Sequence, residues 1–575
     1  MFRTRQRRLI FDTILLGVVG ALSAQLFTLL LRWASTLFLQ GLAGYVPPGL
    51  PDEGGVLQEV IGRYGLWLIP VSTTLGGLIS GVLVYSLAPE AEGHGTDTAV
   101  KAFHHVGGYI RARVPPLKMV ASAITIGSGG AAGREGPTAL ISAGIGSIYA
   151  TLTRRSDEER RLLVLIGMAA GLSAIFRSPI GTAIFAIEIL YSDMESDVGA
   201  LLYTMLGSVV AYTVNGLFVG FQPLFDVPAS ALVRPGFLDY GWYILLGLVA
   251  GVVGTVLPLA FYGMRDLFHE LPGPPHLKPA LGGLGVGLIA VALPQVLAGG
   301  YGWIQEAIDG RLATNLLFVL IGAKLLAFTL TVSSGGSGGV FAPSLFVGAM
   351  AGGFMAQLFG LAPAPFVIVG MAAVFSGAAR VPIATLLMVL EMTDGFHLLV
   401  PAALAVVLSY LVQSRLSANL KYQTLYEMQV PGRPDSPAHH REHVEAALRL
   451  LHGGHVQLPD TVDHVNLQAL LASGIPIDLP DGKQLAMAVI TPGTPLVGKP
   501  LGEVFTEFGR PQGVEIAAVM RGNQTLLPES DVVLRSGDQL LAVTAAQVWE
   551  RLNRDFAPMT VQEDGQGQGK QNAQP

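Results

Sequence analysis

The stretch Gly133-Arg-Glu-Gly-Pro137 places one acid and one base in an apolar, glycine-rich part of the chain. Glycine has no Cβ, so backbone N–H groups there can approach a ligand closely. If a helix begins at this point, its first amides and its dipole form a binding site for an anion. Glu135 could compete with that anion, occupying its position when ionised and leaving it when protonated. The predicted chemistry is anion binding with a proton-dependent gate.

Two other interpretations of these residues stay open. Glycine clusters also occur where membrane helices pack closely against one another. Glu135 could instead form a permanent salt bridge with Arg134, although neighbouring residues on a helix diverge, which disfavours that pairing. An ionisable side chain at membrane depth is costly and is by default functional, which favours the gate.

A second glycine-rich stretch repeats the first. Residues 125–137 align without a gap with residues 331–343, and residues 167–170 align with residues 370–373. In the second register Glu188 meets Glu391. The shared order and nearly constant offset predict an internal repeat rather than chance similarity, and a second cluster of amides near 339–343 would complete a two-sided site. The residues alone leave open whether the repeat is inverted or parallel.

The composition is that of a polytopic membrane protein. Of 575 residues, 51% are hydrophobic and only 13% are charged, and the mean hydropathy is +0.52. Soluble proteins carry nearer a quarter charged residues. The net charge of -6 gives no reason to expect nucleic acid, and the absence of cysteine excludes disulfides, iron–sulfur clusters and thiol catalysis. No cofactor, metal cluster or nucleophile–base pair is predicted in the apolar segments, so we do not expect an enzyme.

The order of apolar and polar segments predicts the domain organisation. A membrane domain, residues 1–428, contains two similar halves at about residues 9–219 and 239–418. Several apolar segments are shorter than the ~20 residues that cross a bilayer, which points to broken helices around a midplane site. A linker with a helical connector (429–479), a small α+β domain (480–553) and a disordered tail (554–575) follow. Strands are expected at 485–490, 515–520, 532–534 and 539–543, and helices at 439–451 and 545–553.

Together, residues 133–137 and Gly339-Val-Phe-Ala-Pro343 resemble the paired signature of the CLC family of chloride channels and transporters. The likeness extends over most of residues 1–428. It implies an all-α membrane fold of two inverted repeats of broken and tilted helices, assembled as a homodimer with one pore per subunit. It also implies that Glu135 is the gating glutamate. The anion-binding residues implied by the resemblance are His94, Gly95, Arg134, Glu135, Gly136, Val340, Phe341, Ala342 and Tyr426.

Two positions depart from the family pattern. Many members have serine where this chain has His94. His94 could donate an N–H to the anion, with Asp97 as its partner and with added pH dependence, or it could be a capping or packing histidine. Proton-coupled members usually carry an internal glutamate where this chain has Ile189, and Glu188 lies about 100° away around a helix. Because isoleucine cannot carry protons, the sequence favours passive conduction, with Cl⁻/H⁺ exchange as the alternative.

The C-terminal part of the chain resembles the TrkA-C type of regulatory domain at residues 491–501, 517–521 and 534–541. The resemblance implies a domain that dimerises and binds a small ligand, although a dimerisation module without a ligand is an equal alternative. It also raises a potassium transport component as a third function, which would need a cation filter of backbone carbonyls that the sequence lacks.

The expected partners are chloride, protons in the exchange alternative, a second copy of the chain and lipid. The basic stretch at residues 3–8 predicts a bacterial inner-membrane protein with cytoplasmic termini.

Overall fold

The computed structural model describes residues 2–50, 57–193, 198–227, 236–432, 436–437, 477–478, 483–490, 497–503, 514–521, 524–526 and 531–545. The chain divides into two compact units, Met1–Gly432 and Arg433–Pro575. The helix predicted at 439–451, the tail at 554–575 and all but the first residue of the helix predicted at 545–553 lie outside the described residues.

The first unit is built of α-helices of very unequal length. In the first half they are α1 Phe2–Ser35, α2 Ile69–Leu87, α3 Thr96–His105, α4 Val114–Gly127, α5 Glu135–Leu152, α6 Asp157–Phe176, α7 Pro179–Glu188 and α8 Val198–Val219. In the second half they are α9 Asp239–Glu270, α10 Lys278–Ala292, α11 Tyr301–Ile308, α12 Thr314–Ser333, α13 Phe341–Leu358, α14 Pro363–Ala379, α15 Pro382–Thr393 and α16 Leu399–Ser417. A π-helical turn, Thr36–Ala43, continues α1, and a short ribbon pairs β1 Tyr45–Val46 with β2 Val60–Ile61.

Long and short apolar helices occur side by side. Among the described residues, 8 helical stretches are long and apolar enough to cross a membrane, while α4, α7, α14 and α15 are apolar but shorter. Large apolar side chains on the long helices stay exposed, for example Trp33 at 66% and Phe318 at 61%. Exposed apolar surface of this extent is typical of a surface that faces lipid. Of the short helices, α14 is almost entirely buried, whereas α4, α7 and α15 each leave a large apolar side chain exposed.

Both halves break their helices at the same kind of residue. Helix α6 is followed by Arg177 and α14 by Arg380, each in the left-handed conformation with φ 54°. A left-handed residue ends a helix, and the proline two residues later is well placed to begin the next one, because proline tolerates the first helical position. The chain therefore turns sharply just before Pro179 and again just before Pro382, where α7 and α15 begin.

The two halves cap one another through a pair of glutamates, one buried and one half-buried. Glu188, at the end of α7, accepts hydrogen bonds from two N–H groups at the start of α15, the nearer being that of Ala384 at 2.7 Å. Glu391, near the end of α15, accepts from two N–H groups at the start of α7, the nearer being that of Gly181 at 2.8 Å. Since each helix offers its C-terminal glutamate to the N-terminus of the other, α7 and α15 run antiparallel. The repeat is therefore inverted.

The second unit contains an antiparallel sheet in the order β3-β4-β7-β5-β6. Its strands are β3 Ile477–Asp478, β4 Lys483–Val489, β5 Val514–Arg521, β6 Gln524–Leu526 and β7 Gln539–Ala545. The strand predicted at 532–534 is wrong, because this segment forms only an isolated bridge between Val533 and Pro500. Leu501 donates to the carbonyl of Val532 and Leu534 to that of Lys499, but Glu503 donates back to the carbonyl of Pro500, so the chain turns away after this bridge.

Candidate functional site

The two glycine-rich stretches meet at the centre of the first unit. Gly133 donates its N–H to the carbonyl oxygen of Gly339 at 2.7 Å, and Gly339 donates to the carbonyl of Gly133 at 2.6 Å. Helix α5 begins two residues after the first glycine and α13 two residues after the second. First-turn N–H groups have no partner within their own helix, and each helix dipole adds positive potential at that end. Two such ends at one place form an anion-binding arrangement.

The side chain of Glu135 lies inside this arrangement and is 1% exposed. A Cβ added to Gly133 would be 2.1 Å from Oε2 of Glu135 and 3.1 Å from the backbone nitrogen of Ala342. The carboxylate therefore folds over Gly133 towards the first turn of α13. Its other oxygen, Oε1, accepts a hydrogen bond from the hydroxyl of Tyr301. A carboxyl group thus lies where the two helix N-termini would favour negative charge.

His94 and Tyr426 also lie where the two glycine-rich stretches meet, on a different side from Glu135. A Cβ on Gly136 would be only 2.1 Å from the carbonyl oxygen of His94, so the two backbones are in direct contact. The rings of His94 and Tyr426 meet edge to face with centroids 5.3 Å apart. Phe375 in turn lies 6.5 Å from Tyr426 and 4.2 Å from Phe341, again between ring centroids. A continuous aromatic contact thus joins His94 to the start of α13.

The nine residues singled out as anion-binding in the sequence are therefore neighbours in one region, which we call the central cluster: His94, Gly95, Arg134, Glu135, Gly136, Val340, Phe341, Ala342 and Tyr426. Arg134 is half-buried, and its guanidinium carbon lies 5.4 Å from the ring centroid of Tyr301. Ile189 lies elsewhere, at the C-terminal cap of α7, where its side chain is fully buried. An apolar group in the core thus occupies the position where proton-coupled relatives were expected to carry glutamate.

Two buried lysines hold the backbone around the central cluster, and sequence reasoning missed both. Lys118 on α4 donates from Nζ to the carbonyl oxygens of Gly93 at 2.6 Å and Ala91 at 3.0 Å. Lys324 on α12 donates to three consecutive carbonyls, the nearest being that of Ala298 at 2.7 Å. Both side chains are 0% exposed. A sequence signal existed, because Lys118 and Lys324 are separated by the same 206 positions as Thr125 and Thr331 of the repeat.

Each lysine supports a short helix that begins after a left-handed glycine. Gly95 precedes α3 with φ 87°, and Gly300 precedes α11 with φ 81°. A Cβ on Gly95 would be 2.9 Å from Cε of Lys118, and one on Gly300 would be 3.4 Å from Nζ of Lys324. The first helix places His94 at the central cluster and the second places Tyr301 there. Tyr301 was also missed, since no motif marks it.

The family model described as voltage gated chloride channel matches residues 76–414, more than half of the chain. The chain belongs to this family, the CLC family. A second family model, the TrkA-C domain, matches residues 485–557. Both matches confirm the family resemblances read from the sequence, and they make this chain an integral membrane transport protein of the CLC type with a C-terminal TrkA-C domain.

Named CLC relatives include both transporters and a channel. The chain is 31% identical over 384 residues to the H(+)/Cl(-) exchange transporter ClcA of Citrobacter koseri, covering 63% of this chain and 79% of that protein. It is 31% identical over 399 residues to the chloride channel protein CLC-e of Arabidopsis thaliana, covering 64% of this chain and 55% of that protein.

Solved CLC structures confirm the fold. A CLC-type fluoride/proton antiporter has a TM-score of 0.62 at 22% identity, covering 74% of this chain and 98% of that one. A slow cyanobacterial Cl-/H+ antiporter has a TM-score of 0.61 at 24% identity, covering 72% of this chain and 95% of that one. The sequence-based expectation of an all-α membrane domain followed by a small α+β domain is therefore correct.

Proposed function

We propose that this CLC protein exchanges chloride for protons across the membrane, with Glu135 as the gate and the proton carrier. One observation carries the proposal: the buried carboxylate of Glu135 folds towards the first-turn amides of α13, where the two halves meet. A carboxylate in that position excludes an anion while it is ionised. The name of the Citrobacter koseri relative, an H(+)/Cl(-) exchange transporter, supports exchange rather than conduction.

In the proposed cycle a single proton binds to and leaves one group, the carboxylate of Glu135. When a proton binds the Glu135 carboxylate, the side chain loses its charge and its attraction to the helix N-termini, and chloride takes its place among the amides. When the carboxyl later releases the proton on the other side, the ionised group returns and displaces the anion. Amides, rather than fixed cations, hold the chloride, so it can leave again. The anion ligands we propose are the other members of the central cluster.

Passive chloride conduction is the second candidate, and Ile189 is the observation that favours it. A fully buried isoleucine cannot bind or release a proton. If no other group carries protons to Glu135 from the inner side, the gate would respond to pH without coupling the two fluxes. The sequence alone favoured this candidate, whereas the exchange transporters among the relatives favour the first.

The assembly and the location follow the family resemblance. We propose a homodimer with one pore per subunit in a bacterial inner membrane, with both termini in the cytoplasm. We further propose that the domain boundaries are those read from the sequence, with the TrkA-C-type domain as a dimerising regulatory module that takes a small ligand. A potassium transport component is not proposed, because the family matched by the membrane unit is that of chloride channels.

Flux measurements on the purified protein in lipid vesicles test the exchange proposal. A chloride gradient is imposed, and chloride and pH electrodes record both fluxes. We expect chloride efflux to drive proton movement in the opposite direction. In Glu135→Gln the side chain can neither ionise nor carry a proton, so chloride should flow without coupled proton movement.

A matched control is Glu158→Gln, because the Glu158 side chain is 67% exposed and lies away from the central cluster. This variant should couple the fluxes as the parent protein does. Chloride flow without proton movement in the parent protein would refute exchange and leave passive conduction as the function. Unchanged coupling in Glu135→Gln would refute the assignment of the gate.

A further inference from the structure

The ring of His94 is held by one nitrogen and leaves the other without a partner. Nε2 of His94 lies 3.1 Å from Oδ2 of Asp97, and the two side chains are 7% and 17% exposed. Oδ1 of Asp97 accepts the N–H of Met428 at 3.4 Å. An ionised carboxylate can only accept hydrogen bonds, so Nε2 must carry a hydrogen and donate it. In the neutral ring Nδ1 is then an acceptor.

Nδ1 of His94 is buried and has no hydrogen-bond partner among the described residues. Leaving a buried polar atom unpaired is destabilising, so a histidine that served packing alone would be expected to satisfy both nitrogens. The ring contacts that of Tyr426 in the central cluster, and the backbone carbonyl of His94 lies against Gly136 at the start of α5. The unpaired nitrogen therefore belongs to the central cluster, where the proposed ligand is an anion.

The lone pair on Nδ1 has the wrong polarity for chloride. In the neutral ring it would repel the anion, whereas a second proton on the ring converts Nδ1 into an N–H donor that carries positive charge. Chloride at this nitrogen and the proton on it therefore stabilise each other. Linkage is reciprocal, so chloride must draw a proton onto the ring as strongly as the proton draws chloride.

We propose that His94 takes up a proton together with chloride, and that Asp97 is the positioning residue that presents Nδ1 to the anion. The inference rests on the proposed anion site but not on exchange, since a conducting protein could bind the two ions in the same way. Many relatives have serine at the His94 position, and serine could not take up a proton together with chloride.

Some charged groups around His94 favour a positive charge on its ring, and others oppose it. Asp97 from α3 and Glu135 from α5 favour the positive ring. Lys118 from α4 opposes it, although its Nζ is directed to the carbonyls of Gly93 and Ala91. Tyr426 and Tyr262 contribute neutral hydroxyls near its inner side, and the Tyr262 hydroxyl donates to the carbonyl of Leu425. Phe261, with its centroid 6.0 Å from the imidazole, is apolar.

The test measures proton uptake when chloride binds. Calorimetric titration of the purified full-length protein with potassium chloride, in two buffers with different ionisation enthalpies, counts protons taken up per chloride. The titration is done at about pH 6 and about pH 8, on either side of the usual histidine pKa of about 6.5. Because Glu135 can also take up a proton when chloride displaces it, the decisive comparison is made in the Glu135→Gln background.

We expect Glu135→Gln still to take up protons, approaching one per chloride, and to bind chloride more weakly at the higher pH. Adding His94→Gln should abolish the uptake, while adding His104→Gln should not, because His104 is a buried histidine on α3, the helix after His94, and contacts the carbonyl of Leu190. Asp97→Asn provides a second route if His94→Gln does not fold. An amide can donate to Nε2 and leave the hydrogen on Nδ1, so chloride should bind with little uptake.

Each contrary result overturns the inference. Chloride binding without proton uptake in Glu135→Gln would refute it while leaving the exchange proposal standing, because exchange is judged from the coupled fluxes. Equal uptake with and without His94 would also refute it. Failure of the parent protein to bind chloride at all would refute both the inference and the anion site on which it rests.

Discussion

The hydroxyl of Tyr301 donates a hydrogen bond to the carboxylate of Glu135, although 166 residues separate them in the chain. Tyr301 is the first residue of α11, in the second half, and Glu135 is the first residue of α5, in the first. The gate proposed in one half is thus held by a side chain from the other. Lys324 binds the carbonyls just before α11 and so fixes where Tyr301 lies.

Tyr301→Phe should make the proposed gate open more readily. Phenylalanine preserves the ring contacts with Phe225 and Arg134 but removes the hydrogen bond. A hydrogen bond to a charged group contributes about 1.5–3 kcal/mol, so chloride turnover in vesicles should rise by about tenfold. Tyr212→Phe is the control, because its hydroxyl contacts only the carbonyl of Phe221 within the described residues. Equal turnover in both variants would show that Tyr301 does not restrain Glu135.

Lys324→Met should produce a similar effect through the backbone. The substitution keeps most of the side-chain volume but leaves three buried carbonyls without their donor, which loosens the segment before Tyr301. A double-mutant cycle measures whether the effects of the two substitutions on chloride turnover are coupled. If Lys324 acts only by placing Tyr301, then Lys324→Met should raise turnover only slightly in a Tyr301→Phe background. Lys421→Met, at a side chain that is 73% exposed, should leave flux unchanged. Additive effects of the two substitutions would contradict this coupling.

Gly136→Ala should abolish chloride binding or prevent folding. The new Cβ would be 2.1 Å from the carbonyl oxygen of His94 and 3.0 Å from Cα of Gly339, so the two halves could not meet as they do. Gly322→Ala, where a Cβ would meet nothing within 4 Å, should be tolerated, since alanine in a helix interior is about 0.5–1 kcal/mol better than glycine. Size-exclusion profiles and chloride titration distinguish the two variants, and normal chloride binding by Gly136→Ala would refute the close approach.

Glu188→Gln and Glu391→Gln should each lower the thermal unfolding temperature of the detergent-solubilised protein. In each carboxyl group both oxygens accept a backbone N–H, whereas an amide has only one acceptor oxygen and leaves one N–H unpaired, at a cost of about 1–3 kcal/mol. The double variant should show roughly the sum of the two losses, since the caps lie at opposite ends of the α7–α15 pair. Glu306→Gln, whose partner Arg311 is 56% exposed, should change stability little. A loss of proton coupling without a loss of stability would instead assign Glu188 to the proton path.

The repeat allowed the central cluster to be predicted from sequence to a large extent. Its gapless alignment indicated two helix ends with exposed amides, and the structure brings them together through Gly133 and Gly339. Tyr301 could not be predicted, because its contact depends on how α11 is aimed after Gly300 and no local pattern encodes that. The alignment of Glu188 with Glu391 did not reveal what either side chain contacts, since the capping partner of each lies in the other half. The strand at 532–534 was wrong because its partner segment turns away after Pro500, where Glu503 donates back to the carbonyl of Pro500.

The reciprocal caps of α7 and α15 have a consequence for the origin of the chain. A single sequence segment, whose helix begins at a proline and has a glutamate at or near its end, supplies both partners of this contact when an inverted copy of it lies beside it. The same holds for the mutual hydrogen bonds of Gly133 and Gly339. A shorter ancestor, half as long, could therefore have formed both contacts with a second molecule of itself inserted in the opposite orientation. Gene duplication and fusion would then have made that pairing permanent and freed each copy to diverge, leaving a glutamate in one and a phenylalanine in the other at the start of the paired helices.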